Sequence, residues 1–366
     1  MRSLLRYSLI LFLLLSLPGF SQNSKGDSYY KQGQEQLDKK EAEKALQFFL
    51  KARNEYIKEG NLHWALTSMQ NVATYYQDTN NGEAAKKIIL ETIAAIPQKT
   101  KEEISTHASL QDNLGYTYAN VLNDPEKALA CYSESIRLYG LIDQANTPMC
   151  AFELTNRATT YFSLNNFQAA VDDQLKAISI YENDKETNPD DLARKIRDLG
   201  RMYAEMSYEN KALEAYQKAK SIIPADNKAL QAMLLNDMGG ANMRLNKLMI
   251  AMGNYRESLA LNEQVYGKDA SNYALTLLNI AELNRKMGDL DQALINYQEV
   301  LLIYQKTPPE DLSNIIDAMV EVSSLLNDLG LNEKQEEVLT QAQNFAVTAF
   351  GANSLQEADV YTQKAN

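Results

Sequence analysis

The chain has 366 residues, 45% of them apolar and 23% charged, and a formal net charge of −12. That is the composition of a folded, helix-leaning protein longer than one ordinary core. The acidity argues against nucleic acid as the main partner, because phosphate binders usually present a basic face.

The first segment, residues 1–21, stands apart from the rest. Arg2 and Arg6 precede an apolar run from Leu9 to Leu17, then Pro18, with Gly19 and Ser21 as small residues suited to a cleavage site. This pattern predicts a secretory signal peptide and a mature start at Gln22. The run falls short of the roughly 20 residues that span a bilayer, a retained anchor being the alternative. The expectation is export, to a periplasm or to the outside, with no stable membrane span after cleavage. No cysteine lies near the cleavage site, which argues against a lipoprotein.

From about residue 27 onward one pattern recurs. A small residue is followed twelve places later by another in Gly33/Ala45, Ala73/Ala85, Ala158/Ala170, Gly200/Ala212 and Ala281/Ala293, and one place later still in Gly115/Ala128. Ser323/Gln335 is a degenerate eighth copy. Four residues past the second small residue come Phe49, Ile89, Tyr132, Gln174, Tyr216, Tyr297 and Leu339. Three further on come Ala52, Thr92, Ser135, Ala177, Ala219, Val300 and Ala342. A period near 40 residues with two helical apolar stripes per period, split by short turns such as SLNNF or KMGDL, predicts a helical hairpin per repeat. Small residues let the two axes approach, and the aromatic ring is expected to fill the gap towards the next hairpin. The predicted repeats lie near 27–60, 63–98, 105–141, 148–182, 192–226, 229–268, 272–307 and 312–350, with a cap over 354–366. Pro97 and Pro224 are expected to end second helices.

The residues Leu199, Gly200, Tyr203, Ala212, Tyr216, Ala219 and Pro224 resemble the tetratricopeptide repeat (TPR) pattern. The stretch from Tyr266 to Tyr304 resembles the longer kinesin-light-chain type. The resemblance implies an all-α, right-handed α-solenoid of about eight helix–turn–helix hairpins plus a C-terminal capping helix, continuous over residues 22–366. Two departures stand out. In the sixth repeat Gly239 is followed by Gly253, Tyr255 and Ser258, and the spacing of nineteen to Ser258 predicts a lengthened first helix. At the C-terminus Gln356, Glu357, Asp359, Gln363 and Lys364 are expected to form the polar outer face of the cap. The polar segment 182–191 reads as a surface loop within the array.

Chemistry is sparse. His63 and His107 are far apart and neither neighbours a cysteine, so no catalytic pair, metal site or cofactor is expected. Cys131 and Cys150 fall on neighbouring antiparallel helices about 9 Å out of register at 1.5 Å per residue, which favours two buried thiols over a disulfide. In the family that the pattern resembles, first helices line a concave groove. Places on that face hold Arg194, Arg197 and Arg201 in the fifth repeat, Asn156 and Thr159 in the fourth, and Asn236 in the sixth. Guanidinium groups fork onto carboxylates and asparagine amides bind peptide backbone, so these six residues are the candidate groove for a protein or peptide carrying an acidic or carboxylate-bearing segment. Gln34, Thr74 and Tyr116 do not complete a carboxylate clamp, and Asp190, Asp191, Asp198 and Glu205 offer the arginines local ion pairs instead. The methionines 233, 238, 243, 249 and 252 have helical spacing that suits core packing, with a contact surface as the second option. The resemblance thus implies a non-enzymatic interaction scaffold. A sensor or regulatory array acting with a separate signalling or protease effector is the alternative, and an enzyme with an unrecognised site is the competing class.

Overall fold

The computed structural model describes residues 24–309, 312–352, 354–358 and 360. The expected signal peptide lies outside the described residues. Contacts divide the chain into two compact units, one ending at Thr187 and the other beginning at Asn188. The division falls inside the polar segment 182–191.

The N-terminal unit holds four hairpins: α1 (Lys25–Asp38) with α2 (Ala42–Glu59), α3 (Leu62–Asp78) with α4 (Gly82–Ala95), α5 (Lys101–Asn120) with α6 (Pro125–Leu141), and α7 (Pro148–Ser163) with α8 (Phe167–Asn183). The C-terminal unit holds α9 (Pro189–Glu205) with α10 (Glu209–Ile222), α11 (Lys228–Arg244) with α12 (Leu248–Tyr266), α13 (Ser271–Met287) with α14 (Leu290–Lys306), and α15 (Ser313–Asp328) with α16 (Asn332–Phe350). Among the described residues there is no strand. Within each unit every second helix also packs on the first helix of the next hairpin, and α3 touches α5 as α11 touches α9 and α13. The architecture is all-α, built from stacked helix–turn–helix hairpins.

Each hairpin turn uses one backbone device. A left-handed residue sits between the two helices at Lys40, Asn80, Asn123, Asn165, Ser207, Asn246, Gly288 and Gly330. In seven of the eight, the amide just after that residue reaches back five positions, as in Asn81 N to Tyr76 O at 2.7 Å and Tyr208 N to Tyr203 O at 2.8 Å. This closes the first helix and starts the second with no slack. Asparagine tolerates that backbone region better than other side chains, which accounts for its four appearances. Proline at the first position of α6, α7 and α9, where the missing N–H has no intrahelical partner to lose, sets three further entries.

The small-residue ladder is the packing code. The first small residue of every repeat is buried, and every second one except Gln335 is fully buried. Phe49, Ile89, Tyr132, Gln174, Tyr216, Tyr297 and Leu339 are all buried as well. The ring does more than fill the gap towards the next hairpin: it fills the hole left by glycine on its own first helix. A Cβ placed on Gly33 would lie 2.7 Å from the Phe49 ring and one on Gly115 2.7 Å from Tyr132; Gly200 and Gly239 stand in closer contact still with Tyr216 and Tyr255.

That contact corrects the reading of the sixth repeat. Helix α11 is 17 residues long, no longer than α13. The second small residue is Ala251, fully buried and twelve places after Gly239, followed by buried Tyr255 and Ser258 in the ordinary register. Gly253 is exposed, with nothing within 4 Å of a Cβ built on it. In the cap, Glu357 is buried rather than outward, and Val360 packs with Ile316, Leu339, Ala342 and Ala346; Asp359, Gln363 and Lys364 lie outside the described residues. Cys131 and Cys150 are free and buried.

The ring-on-glycine contact predicts opposite outcomes for two glycine substitutions in one hairpin. Gly239→Ala, which drives a methyl into the Tyr255 ring, should destabilise by about 1–3 kcal/mol. Gly253→Ala, on an open helix face, should stabilise by up to about 1 kcal/mol. Urea titrations followed by circular dichroism measure both.

Candidate functional site

The polar side chains of the first helices form a ladder from hairpin to hairpin. In the N-terminal unit Asn71 Nδ2 donates to the Tyr30 hydroxyl at 3.3 Å, Gln77 Nε2 to Thr117 Oγ1 at 2.9 Å, and Asn156 Nδ2 to Asp112 Oδ1 at 3.0 Å. In the C-terminal unit Arg197 Nε donates to Asp237 Oδ2 at 2.5 Å and Asn279 Nδ2 to Asn236 Oδ1 at 2.8 Å. Arg285 spans Glu321, Ser324 and Asp328. Each bond joins residues about 40 apart, one repeat period, so these groups align neighbouring first helices.

The six sequence-predicted residues are therefore of two kinds. Asn156, Arg197 and Asn236 spend hydrogen bonds on the next or preceding first helix. Arg197 and Asp237 have side chains only 14% and 15% exposed, and the partner is not one of the local acids at 190, 191, 198 or 205. Arg194, Arg201 and Thr159 are exposed. Thr159 Oγ1 donates to the Thr155 carbonyl at 3.0 Å, which leaves the hydroxyl oxygen to accept. Arg194 and Arg201 form no hydrogen bond or ion pair among the described residues. Burial raises the carboxyl pKa of Asp198, beside them, against the opposing pull of Lys195, Arg197 and Arg201. Asn156 and Thr159 belong to the N-terminal unit, and the arginines and Asn236 to the C-terminal unit.

The N-terminal unit also carries a groove, of about 490 Å³, that runs across α3, α5 and α7. Asn71, Asn113 and Asn156 occupy the same place in three consecutive repeats, two residues before the first small residue, and all three line it. Asp112 also lines it, as do Tyr116 and Phe152, exposed by 49% and 46%. Beside Asp112 lies Glu153, 3% exposed and with Oε2 unpartnered. Burial raises the pKa of both acids, and the charge of Asp112 pushes Glu153 up further. Ionisation of both acids is thus disfavoured, that of Glu153 the more strongly. By contrast, buried Asp173 is held by Arg157 and buried Glu209 by Arg244. The sequence pointed to Asn156 but not to Asp112 or Glu153, and Tyr116 entered only as failing to complete a clamp; the recurring asparagine register was the available signal.

Other candidates fall away. His107 is buried, its Nε2 2.8 Å from the Ile96 carbonyl and Nδ1 2.8 Å from Gln98 Nε2, a structural staple between α5 and the turn before it. No group of metal ligands occurs among the described residues. Met243 and Met252 are core residues, whereas Met249 is 72% exposed and Met233 39%.

The buried pair predicts a pH dependence. Glu153 is pushed up from 4.5 to about 9, so between those values the folded state binds more protons than the unfolded chain. Stability is then greatest below the unfolded value and falls as pH rises towards the folded one. Glu153→Gln should raise the Tm relative to wild type by an amount that grows from pH 5 to pH 9 and reaches several degrees. Paired thermal melts across that range test it.

Tetratricopeptide repeat models match residues 230–306, the sixth and seventh hairpins, and residues 154–183, in the fourth. No curated protein matches the chain. Among solved structures, the apo form of RapI is 13% identical with a TM-score of 0.63, the match covering 93% of this chain and 96% of that one. BtubC (BKLC) from P. vanneervenii is 20% identical with a TM-score of 0.54, covering 63% of this chain and 94% of that one. Tetratricopeptide repeat models thus mark the fourth, sixth and seventh hairpins, the same small-residue ladder runs through all but the eighth, and the fold is shared with these structures.

Proposed function

We propose that this chain is an exported, non-enzymatic interaction protein that grips a partner segment along the first helices of its hairpins. Export rests on the pattern of residues 1–21. The observation that carries the binding reading is the state of the α9 arginines. Arg197 is locked to Asp237, while Arg194 and Arg201, one turn to either side, are exposed and make no ion pair or hydrogen bond among the described residues. A guanidinium held without a carboxylate on a chain of net charge −12 suits an acidic or carboxylate-bearing segment of a partner, which it can fork bidentately. Helices fixed by the first-helix ladder lose little freedom on binding, so contact energy is not spent on ordering them.

The test separates the two kinds of arginine. Arg194→Glu with Arg201→Glu should remove acidic partners from an affinity capture with the exported form, while helicity and Tm stay within about 0.5 kcal/mol of wild type. Unchanged partners would overturn the reading. Arg197→Glu should instead cost about 1–3 kcal/mol in a urea titration, because it leaves Asp237 without its cation.

A further inference from the structure

The groove across α3, α5 and α7 has the opposite chemistry from the α9 arginines. Its lining contains Asp78 and Asp112, a set of amides and hydroxyls, and the rings of Tyr116 and Phe152, with no lysine or arginine among them. Asp112 accepts from Asn156, and beside it Glu153 keeps one carboxylate oxygen unpartnered although only 3% exposed. The ionisable groups around the pair include Tyr132 and Tyr139 from α6 and Cys150 from α7, all raised by burial first and by charge from one or both of these acids as well. Arg157, the cation on the same helix as Glu153, is turned to Asp173 on α8 and Ser133 on α6. The site is thus a carboxylate pair that no cation of the protein neutralises, opening into a slot with two exposed rings.

We propose that this groove binds an extended partner segment through a lysine or arginine side chain, its cation seated on Asp112 and its stem flanked by Tyr116 and Phe152. The inference rests on the reading of the chain as a segment-binding protein and names the chemistry of one of its sites. A cation brought to Asp112 supplies the charge the pair lacks, and cation–ring contact adds to it. The three asparagines in register, Asn71, Asn113 and Asn156, spend their amide nitrogens within the protein, on the Tyr30 hydroxyl, the Ser109 carbonyl and Asp112, and so fix the wall of the groove. Cation binding also favours the ionised form of both acids, which burial disfavours in the free protein, so proton release accompanies it.

An array of random decapeptides, probed with the purified protein, tests the charge preference. The best binders should carry lysine or arginine, and replacing that residue by norleucine should weaken binding about tenfold or more. Asp112→Asn should abolish the preference for lysine over norleucine. Tyr116→Ala, at a half-exposed position, should weaken lysine peptides severalfold, far more than it shifts the melting curve. Calorimetry at pH 7 in two buffers of different ionisation enthalpy should show net proton release for lysine peptides only. With the Arg194→Glu, Arg201→Glu protein on the array, binders without charge bias, a preference for acidic peptides, selectivity surviving Asp112→Asn, or no proton release would each overturn the inference. The Arg194→Glu, Arg201→Glu protein should bind the lysine peptides as wild type does, so failure of the arginine reading is distinguishable from failure of this one.

Discussion

The structure depends on one contact, an aromatic ring lying on a glycine sixteen or seventeen residues before it. Gly33 with Phe49, Gly115 with Tyr132, Gly200 with Tyr216 and Gly239 with Tyr255 repeat it, and alanine takes the glycine's place in the second, fourth and seventh hairpins. The ring buries most of its area only because the first helix offers no side chain there. The close approach of the two axes then requires a second small residue, fully buried from Ala45 to Ala293. A hairpin so built still exposes one apolar face, which explains why the next hairpin must stack on it. The eighth, with Ser323 and half-buried Gln335 in the ladder, covers part of its face with Val360 instead.

This contact also governed what the sequence made legible. Small residues and rings recur at fixed offsets because close packing tolerates few alternatives, so hairpins and their order can be read directly. The sixth repeat misled because Ser258 looked like the second small residue and Ala251 did not stand out. Alanine is common, and only the distance of twelve from Gly239 marks it. The cap misled for a different reason. Polarity is a poor guide to facing in a short terminal helix, and Glu357 is buried beside an apolar Val360 while Leu355 is 81% exposed.

Side chains on the first-helix face were harder to assign, because the same residue types serve two ends. Arg197 and Arg194 are indistinguishable in sequence, three apart on one face. What separates them is Asp237, one repeat period away, which reaches only Arg197. Asn156 likewise looks like a free amide until Asp112, 44 residues earlier, is placed beside it. A first-helix polar residue is best read against the equivalent position one repeat before and after. Where that position supplies a partner, the group aligns hairpins; where it does not, the group faces outward.

Applied to each unit in turn, that rule isolates what the fold does not use. In the C-terminal unit it leaves Arg194 and Arg201. In the N-terminal unit it leaves the Asp112–Glu153 pair, for which Asn156 supplies one hydrogen bond and no charge. A buried carboxylate left without a cation is a cost that ordinary packing would remove, since an apolar residue or a paired arginine would be more stable there. Arg157 shows that such a cation is available: it sits four residues after Glu153, yet it is committed to Asp173. The unit therefore retains an uncompensated acidic site in a groove open to solvent, between two exposed rings, and a cationic side chain from another molecule is the simplest group that relieves it.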